Sequence, residues 1–577
     1  MVCAHSDLTI QAGTSVVSLT CHSRDSHHTT PLGDYAPMNA ASPTLLAPLD
    51  VLRRFPAHDF SLADFFASRC AAQTNKSMVE YDDQVMTWGE CARSADHAVQ
   101  WLQDRGVRTG DRVGLMTYNH PATVVLMLAC ARLGAIVVPC NPEFEAREAR
   151  YIFEHAGVCG VICSPEPSPR VAEAVSGITP APWRVIIDQP WDQEDSLLDQ
   201  WARSGADSIT RVGTADSTFL IIYTSGTTGF PKGVMHSQRS YLLTAEAFVQ
   251  RMYLQPDERV MCVLPLFHIN ALMYSLGGAM ACGGTLILIR KFSASAFWQQ
   301  VSHYRASEVN VIMSAAAILS RRPIEEFVPG HQLHKMFLAP LNRDLLDTFQ
   351  QRFGVGTLIE CYGMTEIPGV LSNPYLGPHK LGSMGCISPH PDPAIERPQV
   401  RIVNDDGQEA AVGEVGELTV RTPTLMQGYF NDPQQTAASF SDGWFLTGDL
   451  CWRDEDDYLF FFTRKKDIIR RRGENISGAE IDQVIGSHPD VLECAAIGVA
   501  SDLGEEEILV AVVPRAGASL TPEQVHAHAR AHLSAIKQPR YIAMVESLPH
   551  TGSMKIAKFR LKPGTDLRDK ATDFHNH

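Results

Sequence analysis

The sequence predicts an α/β protein in which parallel sheets covered by helices fill most of the chain and a small α+β unit closes it. Three observations carry this. The chain has 577 residues, more than one compact core accommodates. From about residue 60, short apolar strands alternate with amphipathic helices, the pattern of parallel sheets with helical crossovers. After residue 400 the pattern changes to alternating strands around turns, followed by a compact mixture of strands and two helices.

Residues 1–45 are rich in Ser, Thr and His without periodicity and are expected to be a disordered extension, with Met38 a candidate start. LADFFASRC then predicts a helix, DRVGLMTYN a buried strand closed by a turn, TVVLMLACARLGA a helix and IVVPCNP a strand stopped by proline. VCGVIC and RVIID add two further strands. VRIVNDDGQ, GELTVRTP and DYLFFFTRKKD read as antiparallel strands. Beyond the charged stretch Arg464-Lys465-Lys466-Asp467, strands at ECAAIGVA and EILVAVVP and a helix at PEQVHAHARAHLSA form the terminal unit. The polar ending FHNH is expected to be loose.

Composition narrows the class of function. An apolar share of 45% and a charged share of 20% are those of a soluble globular protein, and a net charge of −16 argues against nucleic acid or an anionic membrane as a general partner. The 14 cysteines include no CxxC pair, so they are expected to be reduced thiols rather than a zinc site. No apolar run is long enough to span a bilayer, and the N-terminus lacks a basic stretch followed by an apolar one. A cytoplasmic chain is expected.

The strongest local signal is FLIIYTSGTTGFPKGVMHS, residues 219–237. An apolar strand runs into Thr224, Ser225, Gly226, Thr227, Thr228, Gly229 and Lys232. Glycines let backbone N–H groups approach an anion, hydroxyls add donors, and Lys232 brings positive charge, a combination suited to polyphosphate. A Walker A loop is excluded, because Pro231 rather than glycine precedes the lysine.

YTSGTTGFPKG resembles the signature loop of the adenylate-forming superfamily, which contains acyl-CoA synthetases, peptide-synthetase adenylation domains and luciferases. Its other motifs recur in order across roughly residues 60–565. The resemblance implies a large N-terminal domain of packed sheets with helices plus a β-rich subdomain (46–465), and a small mobile α+β C-terminal domain (466–565). A loose tail over 566–577 is expected after it. ATP, Mg²⁺ and coenzyme A are the implied cofactor and co-substrates, with a small-molecule carboxylic acid as partner.

Individual roles follow from the same resemblance. In IECYGMTE, Tyr362 offers a face for adenine, Gly363 and Met364 tight backbone, Thr365 a hydroxyl toward the α-phosphate and Glu366 a hard oxygen for Mg²⁺, with Thr224 a second contributor. Ala339, Pro340 and Leu341 match the segment closing the other side of adenine. Asp449 in TGDL accepts ribose hydroxyls, and Arg464 reaches ribose or phosphate. Lys466 takes the hinge position, and Gly473 belongs to the face presented to the pantetheine thiol. Lys555, in SLPHTGSMKIAKFRLK, matches the catalytic lysine that offsets charge at the reacting centre, although Met554 replaces the usual glycine and Lys558 lies close by.

His268 matches a position that gates the acyl site, and residues 267–301 are particularly similar to crotonobetaine/carnitine–CoA ligases. A substrate ammonium would need a buried acidic partner, yet no Asp or Glu occurs between Phe267 and Cys282, and Asn270 stands where an acid is expected. The small, apolar run ALMYSLGGAMACGG leaves room for a bulky ring or chain, so a largely hydrophobic acid is expected. Two rival readings are a carrier-protein thiol as the acceptor and a non-catalytic nucleotide-binding scaffold.

Overall fold

Strands too apolar to face water on either side assemble into two seven-stranded sheets. The computed structural model describes residues 34–35, 45–187, 197–198, 201, 212–224, 231–404, 406–471, 474–500, 506–550, 556–561 and 567–574. The first sheet runs, in spatial order, Gly428–Tyr429, Lys232–Ser237, Thr218–Thr224, Ile136–Pro139, Arg112–Met116, Val158–Cys163 and Trp183–Ile186. Its last five strands are mutually parallel. The second runs Thr357–Ile359, Lys335–Ala339, Glu308–Ile312, Arg259–Cys262, Thr285–Leu288, Ser77–Tyr81 and Gln84–Thr87, parallel up to the closing hairpin.

One hydrophobic cluster joins the two sheets through helices. It takes Val113, Val137 and Leu220 from the first sheet and Val260, Val309 and Phe337 from the second. Every residue of the helix Pro121–Leu133 is buried, which explains why its sequence is apolar around the whole circumference rather than along one stripe. A smaller antiparallel sheet (Gln399–Val403, Gly416–Arg421, Trp444–Arg453, Leu459–Arg464 and Phe440–Ser441) has its own core around Leu418, Val420 and Phe445. The expected α/β architecture with a β-rich part is thus present.

The C-terminal strands Val491–Ala500, Glu506–Pro514, Tyr541–Met544 and Thr572–Asp573 form a four-stranded sheet packed by the helices Gly478–Gly486 and Pro522–His532. Its cluster, with Ile481, Val510, Val525 and Ile542, shares no residue with the large core.

The terminal segments depart from expectation. The residues read as a loose tail are packed over 567–574: Thr572–Asp573 adds an edge strand and Phe574, 8% exposed, stacks on His526 with ring centroids 4.1 Å apart. Arg540 pairs with Asp573 at 3.1 Å. One aromatic, an ion pair and the bond from Arg568 to the Ala500 carbonyl anchor a stretch whose average polarity suggested none. Most of the expected extension 1–45, Met38 included, lies outside the described residues, but Asp34 and Tyr35 pair with Lys380 and His379. No helix among the described residues is long and apolar enough to cross a membrane, and the described cysteines are free thiols.

Candidate active site

Parallel sheets expose their loops at the carboxyl ends of the strands, where ligands of such folds bind. The strand Thr218–Thr224 delivers its chain to that edge and returns as Lys232–Ser237, with Thr224 opposite Lys232 in antiparallel register. Ser225, Gly226, Thr227, Thr228 and Gly229 lie outside the described residues, but their anchors fix where the connection starts and ends. Lys232 holds its ammonium 5.3 Å from the ring centre of Tyr429.

The YGMTE motif forms one arm of a hairpin, Cys361–Met364 against Ile367–Ser372, with Thr365 and Glu366 at its tip. Only glycine fits at 363, because a Cβ there would stand 2.4 Å from the Gly369 backbone nitrogen. Tyr362 does not end as a free ring: its hydroxyl donates to Asp449 Oδ2 at 2.6 Å. Burial and the neighbouring Asp449 carboxylate push that phenol well above its ordinary range. The other Asp449 oxygen lies 3.3 Å from Arg464 Nε, and the two residues are cross-strand partners. Asp449 is 4% exposed while Arg464 is 45% exposed, so a buried carboxylate faces a cation that reaches solvent. The Asp449 backbone N–H is fixed by Thr447 Oγ1 at 3.1 Å, and Glu417 accepts from Gly448 N–H and pairs with Lys465. Three sequence-predicted residues, Tyr362, Asp449 and Arg464, are therefore brought into one constellation.

Glu366 is 6% exposed and accepts from the Tyr429 hydroxyl at 2.8 Å. Burial raises its carboxyl, while Tyr429, Arg464 and Lys232 pull it back down. Glu366 thus presents a buried carboxylate oxygen, a hard donor, at the tip of the hairpin, with Tyr429 on its Oε1. Thr365 is held from behind, since its backbone carbonyl meets His236 Nε2 at 2.7 Å. Burial drops that imidazole to about 4, so it is neutral at physiological pH and donates to the carbonyl. Leu341 N–H, next to Ala339 and Pro340, donates to Glu360 Oε1 at 2.7 Å, and Glu360 immediately precedes Cys361-Tyr362. The segment read as closing over adenine is thus tied to the tyrosine strand.

His236, Glu360 and Tyr429 were not singled out from sequence. His236 and Glu360 sit inside the two motif stretches, where a buried polar residue beside a motif was the available signal. Tyr429, in MQGYFND, carried none.

His268 is half-buried and heads the π-helical turn Asn270–Leu276, accepting Leu272 N–H on its carbonyl. π-helical turns mark functional sites more often than chance. The small residues that follow have a different explanation from the one expected. Cβ atoms at Gly277 and Gly278 would stand 2.8 Å from Ala245 and 2.6 Å from Phe248, so their smallness serves close packing on the helix Gln238–Met252 rather than leaving space for an acid. Asn270 keeps a buried Oδ1 that no described group reaches.

Lys555 and Gly473 lie outside the described residues. On either side of the segment that contains Lys555, His550 and Ile556 form a bridge, and Ala557 N–H donates to Pro549 O at 2.7 Å. Its neighbour Lys558 forms an ion pair with Asp482. Lys466 is exposed in the short turn Lys465–Asp467.

Residues 66–430 match the AMP-binding enzyme family and residues 480–555 the AMP-binding enzyme C-terminal domain. The chain is 32% identical over 508 residues to the sulfoacetate–CoA ligase of Cupriavidus necator, covering 87% of this chain and 97% of the relative. It is 29% identical to the crotonobetaine/carnitine–CoA ligase of Escherichia coli, covering 79% of this chain and 89% of that one. Among solved structures it resembles ATP-bound MatB from Rhodopseudomonas palustris, with a TM-score of 0.76 and 27% identity over 87% of this chain and 98% of that one.

Proposed function

This chain belongs to the AMP-binding enzyme family, as an AMP-forming acid–CoA ligase, and from that premise we propose how it holds its substrates and which acid it takes. One observation carries the reading: the buried Asp449 carboxylate, presented between the Tyr362 hydroxyl and Arg464, is a ready acceptor for ribose hydroxyls. Adenine lies against Tyr362 and Gly363-Met364, with Ala339-Pro340-Leu341 on its other side. Ser225, Gly226, Thr227, Thr228, Gly229 and Lys232 cradle the pyrophosphate to be released.

The acid's carboxylate attacks the α-phosphorus in line, and pyrophosphate leaves with its charge spread over several oxygens. Catalysis is then mostly positioning and electrostatics. Thr365 orients the α-phosphate and Lys555 offsets the charge that develops on it. Glu366, with Thr224, would hold Mg²⁺, which supplies charge neutralisation along the phosphates when bound. The boundary at 465/466 divides the AMP-binding domain from a C-terminal domain that turns at Lys466, withdraws Lys555 and presents the face around Gly473 to the thiol of coenzyme A.

The acid is largely hydrophobic and carries no second charge. A sulfonate asks for a cation and a quaternary ammonium for an anion, yet residues 267–282 contain neither Lys, Arg, Asp nor Glu. At the same strand edge Ile312, partnered with Ala339, and Met313 are 43% and 45% exposed, an apolar wall. His268 gates this side.

Pyrophosphate release across a panel of acids, with coenzyme A or a holo-carrier protein as acceptor, tests the reading. Aromatic and aliphatic monoacids with coenzyme A are expected to react fastest. Faster turnover of sulfoacetate or carnitine would overturn the substrate class, and turnover confined to the carrier protein would overturn the acceptor.

A further inference from the structure

The strand ends at Thr224 and Lys232 are held by more than their own register. The helix Ala146–Ala156 packs Ala149, Ile152 and Phe153 into the cluster that also holds Ile221 of the strand Thr218–Thr224. Tyr151 and His155, four residues apart, share one face of that helix, and their rings stack 5.6 Å apart at 22°. The Tyr151 hydroxyl donates to the Pro231 carbonyl at 3.1 Å. His155 Nδ1 and the Tyr223 hydroxyl share a hydrogen bond of 2.7 Å. One bond therefore holds the residue before Lys232, and the other holds the residue before Thr224.

Gly233 makes the second bond possible. It is the cross-strand partner of Tyr223, and a Cβ there would stand 3.2 Å from Tyr223 Cζ and 2.7 Å from the Ile221 side chain. The phenol lies over that bare backbone and its hydroxyl meets His155, so the glycine of Pro231-Lys232-Gly233 has a packing reason of its own. The same helix end meets the chain that follows Tyr429. Asn431 Nδ2 donates to the His155 carbonyl at 3.3 Å, and Phe430 N–H donates to the Gly233 carbonyl at 2.7 Å. The buried apolar residues already fasten the helix to the sheet, whereas its two polar side chains go to the two strand ends.

We propose that Tyr151 and His155 are positioning residues for adenylation. Acting through Pro231 and Tyr223, they fix where the two strand ends stand, and hence where Lys232 presents its charge to the phosphates of ATP. This rests on the reading above that Lys232 cradles the pyrophosphate. Neither Tyr151 nor His155 touches substrate. Small errors in the placement of a charged group are expensive in a reaction that relies on positioning. AMP and acyl-adenylate lack the two phosphates that leave, so the brace serves the step that consumes ATP and is idle in the step that consumes acyl-adenylate.

Tyr151→Phe and Tyr223→Phe test this in the full chain, because each deletes one hydroxyl and keeps the ring. Each is expected to lower kcat/KM for ATP in pyrophosphate release about fivefold, the share of one hydrogen bond. The affinity for AMP, measured by calorimetry, and thioester formation from supplied acyl-adenylate are expected to stay at the wild-type level. His155→Ala should match Tyr223→Phe, and the double variant should be no worse than either, since both remove the same bond. His155→Gln, which keeps a hydrogen-bonding group, should recover part of the loss. Lys232→Ala serves as the control for the reading beneath the proposal. If Lys232→Ala impairs ATP use while both Tyr→Phe variants leave it intact, or weaken AMP and ATP equally, the brace is refuted. If Lys232→Ala itself leaves ATP use intact, the cradle reading fails and the brace falls with it.

Discussion

Two regions of the molecule contribute to the proposed site in opposite ways. In the constellation, Tyr362 bonds the buried Asp449 at 2.6 Å, Tyr429 bonds the buried Glu366 at 2.8 Å, and the solvent-reaching Arg464 faces Asp449, on strands that belong to the body of the chain. Lys555 lies between His550 and Ile556 in the sequence, and those two bridged residues belong to a unit whose hydrophobic core is its own. A residue fixed by several buried partners is pre-organised for one ligand and one geometry. A residue on a separately cored unit can serve one step and leave for the next. The contrast predicts which substitutions damage both half-reactions and which damage one.

The sharpest break is Lys555→Ala. Adenylation, read as pyrophosphate release, is expected to fall by about 10³-fold, while thioester formation from supplied acyl-adenylate stays within a few-fold of wild type. Pyrophosphate release at the normal rate would sink the assignment. Lys558→Ala gives the contrast: it breaks the pair with Asp482 and is expected to cost stability rather than chemistry. On the pre-organised side, Glu366→Gln is expected to lower pyrophosphate release by about 10²-fold and to weaken its dependence on magnesium concentration. Asp449→Asn removes the charge between Tyr362 and Arg464, and should raise the KM for ATP about tenfold with a smaller change in kcat. A tenfold loss in kcat at unchanged KM would instead place Asp449 in the chemical step.

Much of this was legible in the sequence, for a physical reason. The strands Thr218–Thr224 and Arg112–Met116 are buried on both faces and therefore read as continuous apolar runs. The motif residues are polar types at fixed spacing beside such runs, and three of them, Tyr362, Asp449 and Arg464, are neighbours in the structure. Tyr429 was not legible because its role depends on a two-residue strand pairing with Met235 and Val234, a contact nearly two hundred residues apart in the chain. His236 and Glu360 act through backbone groups of other segments, so their position inside the motif stretches marked them but not the bonds they make. The run around Gly277 misled for the converse reason. Small residues look the same in sequence whether a ligand or a neighbouring helix takes the space.

The smallest effect is the most discriminating. Tyr429→Phe deletes one hydroxyl, the donor to Glu366 Oε1, and leaves the ring near Lys232. Burial alone raises the Glu366 carboxyl, and the phenol is the first of the groups that pull it back. Losing that donor weakens the ionised form, so the folded-state pKa rises further and the carboxylate disappears at a higher pH as acid is added. If Glu366 works as a carboxylate, activity is lost as pH falls through that value. The acid limb of the pyrophosphate-release profile should therefore move to higher pH in Tyr429→Phe. Glu366→Gln should lack this limb at its lower rate. An acid limb unmoved by Tyr429→Phe would mean that ionisation of Glu366 does not govern the step, and the pre-organised half of the comparison would then rest on Asp449 and Arg464 alone.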